Sequence, residues 1–196
     1  MKPSYQGFEA KKSGGFLEMP PVGAYVAEIQ NVRFVAADGK QQFRDAIELM
    51  IEITEGDYKN RFHEVYEDRK ERFGDSVKYK GVFRLNPPKE DDEDWRKRVF
   101  EGNLWCVEQS NPGYTWDWDE KKLKGKKVGI SIRERLYTWN KQDRVDTEIG
   151  KFETVDDVRN GKCKPMKPRN TRDKNSAAAE EEQNFTEVSG TVDVPW

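Results

Sequence analysis

In the stretch FRDAIELMIEI, the apolar side chains Ile47, Leu49, Ile51 and Ile53 alternate with Glu48, Met50 and Glu52. Successive side chains of an extended strand point to opposite faces, so a period of two puts one face in a core and leaves the other polar. The preceding segment AYVAEIQNVRFV, from Ala24 to Val35, is rich in β-formers, and Asp38-Gly39 between the two runs reads as a turn. The chain must therefore contain a half-buried hairpin, and later elements must cover its apolar face.

TEGDYKN marks another turn, and RFHEVYED after it reads as a third strand; residues 68–90 show no clear period. Between Asp91 and Gln109 acids come first, then Trp95, Val99, Leu104, Trp105 and Val107 recur at helical spacing ahead of SNPG. This is the pattern of one amphipathic helix with its two tryptophans in the core. KKVGISIRERLYTWN alternates again, and Gln142-Asp143 is placed to turn it back into RVDTEIGKFE as a second hairpin. In TVDDVRNGK, Thr154 is a candidate N-cap and Gly161 a stop, which gives a short helix.

Beyond Lys164 the composition is that of a linker, and there is no internal repeat. The chain thus divides into a flexible arm (1–19), one domain (20–165) and a disordered acidic tail (166–196). About five strands in two hairpin groups with an intervening helix suit a mainly β fold, a five-stranded antiparallel barrel of the oligonucleotide-binding type. A mixed α+β sheet or a small sandwich fits the same periodicity.

Apolar residues make up 34% of the chain and charged residues 37%, so the core is modest. Two cysteines without CxxC spacing and a single histidine are too few for a conventional zinc site, and no cofactor is expected. No phosphate-cradling glycine loop or GxSxG elbow occurs, and the acids of EDDEDW are accounted for by a helix dipole, so no enzyme is expected. The N-terminal stretch has no signal-peptide pattern and no run of apolar residues could cross a bilayer; a cytoplasmic protein without a membrane partner is expected.

The strand from Lys127 to Trp139 separates by chemistry. Val128, Ile130, Ile132 and Leu136 fall on one side, Ser131, Arg133, Arg135, Tyr137 and Trp139 on the other. Cations beside flat rings are what an unpaired polynucleotide requires, phosphates taking the guanidiniums and bases stacking on the rings. The same residues equally fit a surface on which Tyr137 and Trp139 cover an apolar edge and the arginines pair with acids such as Glu148. Lys124, Lys126 and Lys127 in KKLKGKK, together with Phe34 and Arg44 beside the first hairpin turn, complete the candidate nucleic-acid contacts. Tyr114, Trp116 and Trp118 are assigned to packing of their loop.

Residues 170–196 hold two cations against six acids, so the formal charge of −2 divides into an acidic tail and a slightly basic body. The chain closes on Asp193, Val194, Pro195 and Trp196. This ending resembles the tip of bacterial and phage single-stranded DNA-binding proteins, an acidic stretch closing on Asp-Ile/Leu-Pro-Phe, with Trp in place of Phe. From Pro20 to Lys164, PPVGAYVAEI, EQSNPGYTW, LKGKKVGISIRE and EIGKFETVDDVRNGK are similar in order to a phage-encoded family of such proteins. The resemblance implies an oligonucleotide-binding barrel that coats single-stranded DNA and a tip, Asp193 to Trp196, that recruits replication, recombination or repair proteins. The expected partners are single-stranded DNA, those proteins and further copies of the chain. The rival expectation is an accessory protein-interaction module of phage origin that does not touch DNA.

Overall fold

The structure is a computed structural model and describes residues 17–39 and 44–172. Among them are six strands, β1 (Gly23–Val35), β2 (Ala46–Ile53), β3 (Val82–Leu85), β4 (Lys127–Trp139), β5 (Gln142–Glu153) and β6 (Arg169–Asn170). Three helices, α1 (Arg61–Phe73), α2 (Asp94–Ser110) and α3 (Val155–Arg159), and a 3-10 turn at Glu120–Leu123 complete the elements. No described helix is long and apolar enough to cross a membrane.

The fold is mainly β, with one mixed six-stranded sheet in the order β3-β2-β1-β4-β5 and β6 added parallel to β4. β1 serves two neighbours: its Gly23–Glu28 half pairs with β4 and its Ala27–Val35 half with β2. The register slips between Ile29 and Asn31, a bulge that bends the strand as it passes from one partner to the other. Ile47, Leu49, Ile51 and Ile53 are all buried, as their alternation requires, against Ala27, Ile29, Val128, Ile130 and Phe152. α2 covers this layer with Phe100, Leu104 and Val107, and Asn103 fixes its height by accepting the Phe152 N–H at 2.8 Å. α3 starts as expected, the Thr154 hydroxyl accepting the Asp157 N–H at 3.1 Å. It packs on Gly129 of β4, where a Cβ would lie 2.6 Å from Val158.

Several expectations are corrected. The sheet has six strands, one of them parallel, and no ladder joins β3 to β5, so it is not a closed five-stranded barrel. Its two outer strands meet through side chains instead: the rings of Phe83 and Phe152 lie 4.6 Å apart, and just ahead of β3 Lys80 Nζ is 3.1 Å from Asp146 Oδ2. RFHEVYED is not a strand but the start of α1. Its buried residues, Phe62 and Val65, are three apart, and the Glu52 carboxylate takes the first N–H groups of the helix, Phe62 at 3.2 Å and His63 at 2.7 Å. The third strand, β3, lies in the stretch that had no clear period. β6 falls within the stretch read as a linker.

The second hairpin turns at Asn140 and Lys141, both left-handed (φ 49° and 61°), two residues before the expected place. Trp95 and Trp105 are not in the core: they are 47% and 53% exposed, with Val99 beside them at 56%, because the buried arc of α2 runs through Phe100, Asn103, Leu104 and Val107.

The Lys80–Asp146 pair gives this contact between outer strands an acid sensitivity. Burial alone would push the Asp146 carboxyl up, but the Lys80 ammonium and its hydrogen bond hold it below the usual carboxylate range. A carboxyl depressed in the folded state stabilises above its ordinary pKa and loses that contribution as pH falls through the folded value. The thermal midpoint of the protein should therefore drop more steeply between about pH 4 and pH 2 than that of Asp146→Asn, measured by circular dichroism.

Candidate nucleic-acid interface

β4 outruns its neighbour. β1 accompanies it only from Lys127 to Ile132, whereas β5 stays paired through Trp139. On the edge that β1 leaves, β6 meets only Arg135 and Leu136. Residues 133–148 thus form a ribbon of β4 and β5, flanked by β6 at Arg135 and Leu136, that extends about 20 Å beyond the end of β1. Directly opposed residues of an antiparallel pair share a face. One face of the ribbon accordingly carries Arg133, Arg135, Tyr137 and Trp139 with their partners Glu148, Asp146, Arg144 and Gln142. The other carries Glu134, Leu136, Thr138, Asp143, Val145 and Thr147.

The four β4 residues expected to contact nucleic acid have different surroundings. Arg133 is committed: its guanidinium lies 2.8 Å from Glu148 Oε1, which Arg169 also approaches at 3.5 Å. Met166 lies over Gly150, where an added Cβ would meet its sulfur at 2.6 Å and the Arg133 Cδ at 3.1 Å. The segment leading to β6 therefore covers this end of the face, where Arg133 is paired with Glu148. Arg135 stands over the Tyr137 ring at 4.8 Å, a cation–π contact that leaves the tyrosine half-buried. Trp139 at the tip is 58% exposed.

Two cations join this face or its tip that the sequence reading passed over: Lys141, exposed in the turn, and Arg144, opposite Tyr137 and donating to Gln142 at 2.7 Å. With the turn at Asn140 and Lys141, Arg144 stands directly opposite Tyr137; a turn at Gln142-Asp143 would place it on the same face but opposite Lys141.

The remaining expected contacts are not gathered here. Lys124, Lys126 and Lys127 sit at the start of β4, about 40 Å along an extended strand from Trp139. Lys126 lies over the Tyr114 ring at 4.6 Å, and the backbone of Lys127 is clamped by Asn111, leaving the Lys124 and Lys127 side chains exposed. Phe34, 49% exposed, lies opposite Ile47, one residue before the end of β1. Arg44, a candidate contact, is held by both oxygens of Asp92, at 2.8 and 2.5 Å. Asp193, Val194, Pro195 and Trp196 lie outside the described residues.

A second arginine pair also went unforeseen. Glu48 is bound on one side by Arg33, whose Nε donates at 2.9 Å, and on the other by Arg84, whose Nε donates at 2.7 Å. The three residues form a row across β1, β2 and β3 on the face away from the core. Only the register between strands reveals such a row. A groove along α1 is lined by Leu17, Lys70, Glu64, Glu67, Asp68, Glu71 and Asp75, a mostly anionic surface that repels phosphate. Among the described residues no cluster of three metal-ligating side chains occurs.

No protein-family model and no curated protein matches the sequence.

Proposed function

We propose that this chain is a non-catalytic, sequence-tolerant single-stranded DNA-binding protein, and that the ribbon formed by β4 and β5 is its principal contact. The observation that carries the reading is the ribbon face itself: Arg135, Tyr137, Trp139 and Arg144 set cations and rings side by side on an element that projects from the sheet. Guanidiniums neutralise phosphates there while ring faces accept bases of any identity. We further read the sheet as an open form of the oligonucleotide-binding barrel. Supporting this are the order β3-β2-β1-β4-β5 and the Phe83–Phe152 and Lys80–Asp146 contacts, which bring the outer strands together in a parallel sense. In this reading the protein coats single strands during phage replication or recombination in the cytoplasm of a bacterial host, and Asp193 to Trp196 recruit partner proteins.

Titration with oligo-dT tests the proposal. Tryptophan emission is expected to be quenched at low salt, with affinity falling as salt rises; absence of quenching, or binding indifferent to salt, rejects it.

The exposed Trp95, Val99 and Trp105 on the outer side of α2 favour a second reading, an accessory module that binds another protein and never touches DNA. Under that reading oligo-dT leaves the emission unchanged, and Trp95→Ala with Trp105→Ala abolishes capture of the partner.

A further inference from the structure

Trp118 is the most exposed large hydrophobic residue described, at 66%, and the structure shows why its ring is held outward. Its backbone is left-handed (φ 66°), a conformation that a bulky residue adopts only when its surroundings impose it. One face of the indole stacks on Phe100 of α2, with ring centroids 5.9 Å apart and planes 21° apart, while Trp116 braces it at 5.9 Å. Phe100 is itself buried, so the stack is anchored in the core and the opposite face of Trp118 is presented to solvent.

The charge around this ring is more favourable to a polyanion than the sequence SNPGYTWDWD implies. Lys122 bonds to Asp117 and lies 3.9 Å from Asp119, so both acids flanking the tryptophan are partnered by a cation. Asp119 also caps the 3-10 turn through the Lys121 N–H at 3.2 Å. Residues 117–127 contain five lysines against three acids. Lys121 and Lys124 are exposed and have no ion-pair partner among the described residues, and Lys127 follows, exposed, at the start of β4.

We propose that Trp118, with Lys121, Lys124 and Lys127, forms a second stacking site for single-stranded DNA, at the opposite end of β4 from the ribbon tip. The proposal rests on the single-strand-binding reading above and deepens it, since the strand would then be held at two places. An anchored ring with one open face accepts any base, and the lysines take the flanking phosphates. A short oligonucleotide reaches one place or the other; a long one reaches both.

The test compares oligo-dT of about 8 and about 35 nucleotides on the full chain. Trp118→Ala is expected to weaken binding of the long oligonucleotide by about tenfold, while binding of the short one, held by the ribbon, changes by less than about twofold. Trp118→Phe restores most of the loss. Lys121→Ala with Lys124→Ala makes the salt dependence of long-oligonucleotide binding shallower by about one unit of the log–log slope. Circular dichroism melting of the lysine variant and of Trp118→Phe should match the parent, because the lysines are exposed and phenylalanine keeps a ring on Phe100. Unchanged long-oligonucleotide affinity in Trp118→Ala, with the parent binding normally, overturns the second site and leaves the ribbon reading standing. An equal loss at both lengths overturns it too, since the two places would then be one. Failure of the parent chain to bind either length rejects both readings.

Discussion

Replacing Tyr137 and Trp139 together by alanine is expected to lower affinity for oligo-dT by about two orders of magnitude, with only a small shift of the melting curve from the half-buried Tyr137. Each base stacked on an aromatic ring is worth roughly 1–3 kcal/mol, and about 1.4 kcal/mol is tenfold, so two rings bracket that loss. Folding should be spared because Trp139 is 58% exposed and the ribbon projects past the sheet. Tyr137→Phe tests the mechanism within the site: it keeps the ring beneath Arg135 and should bind nearly as well as the parent. Arg144→Ala should weaken binding less than removal of the rings, and only at low salt, because its part is charge. If the double alanine variant binds like the parent, the ribbon is not the contact.

The largest loss of stability is expected at Glu52. Its side chain is 5% exposed, and its carboxylate accepts the N–H groups of Ile53, Phe62 and His63 and the hydroxyl of Tyr79. Truncation in Glu52→Ala strands three backbone N–H donors in a dry site, the Tyr79 hydroxyl keeping the Ile51 carbonyl at 2.9 Å, at about 1–3 kcal/mol for each left unpaired, less whatever water or relaxation recovers. A net loss of about 3–5 kcal/mol is a large share of the roughly 5–15 kcal/mol that holds a domain together. Urea denaturation should show a lower midpoint with the slope little altered. Burial pushes the Glu52 carboxyl up, against the opposing effects of Tyr79 and the three N–H groups. A carboxyl raised in the folded state contributes stability fully below its ordinary pKa and loses it as pH rises through the folded value. The parent should therefore gain on Glu52→Gln as pH is lowered from about 7 toward about 4, a window above the one in which Asp146 acts.

Glu52 also shows where the sequence was legible and where it was not. The alternation from Ile47 to Ile53 revealed β2 and its buried face directly, because a period of two needs no knowledge of neighbours. The same alternation assigned Glu52 to the polar face, and nothing local announces that α1 begins on top of it. α1 was missed for a related reason: its apolar residues Phe62, Val65 and Tyr66 are embedded in charges, and its first turn is completed by a residue of another strand. The helix α2 was recognised, but its wide arc of large side chains did not reveal which side met the sheet. At the candidate site the composition of β4 was readable, while the register was not. Arg133 belongs to Glu148 because of the pairing between strands, and Arg144 joins Tyr137 because the chain turns at Asn140 and Lys141. Trp118 gained its stack from Phe100, a contact between elements that no spacing encodes.

The two shared carboxylates carry a thermodynamic consequence. Glu48 lies between Arg33 and Arg84, and Glu148 between Arg133 and Arg169. A guanidinium already neutralised by an internal carboxylate brings little net charge to a phosphate, so it displaces few of the cations condensed on a polynucleotide and adds little to the salt dependence. The ionic-strength exponent of association would then count only the cations outside these pairs, chiefly Arg135, Lys141, Arg144 and the lysines around Trp118, at about 0.7 per phosphate met. A chain so rich in arginine would thus behave, toward electrolyte, as a far less charged one.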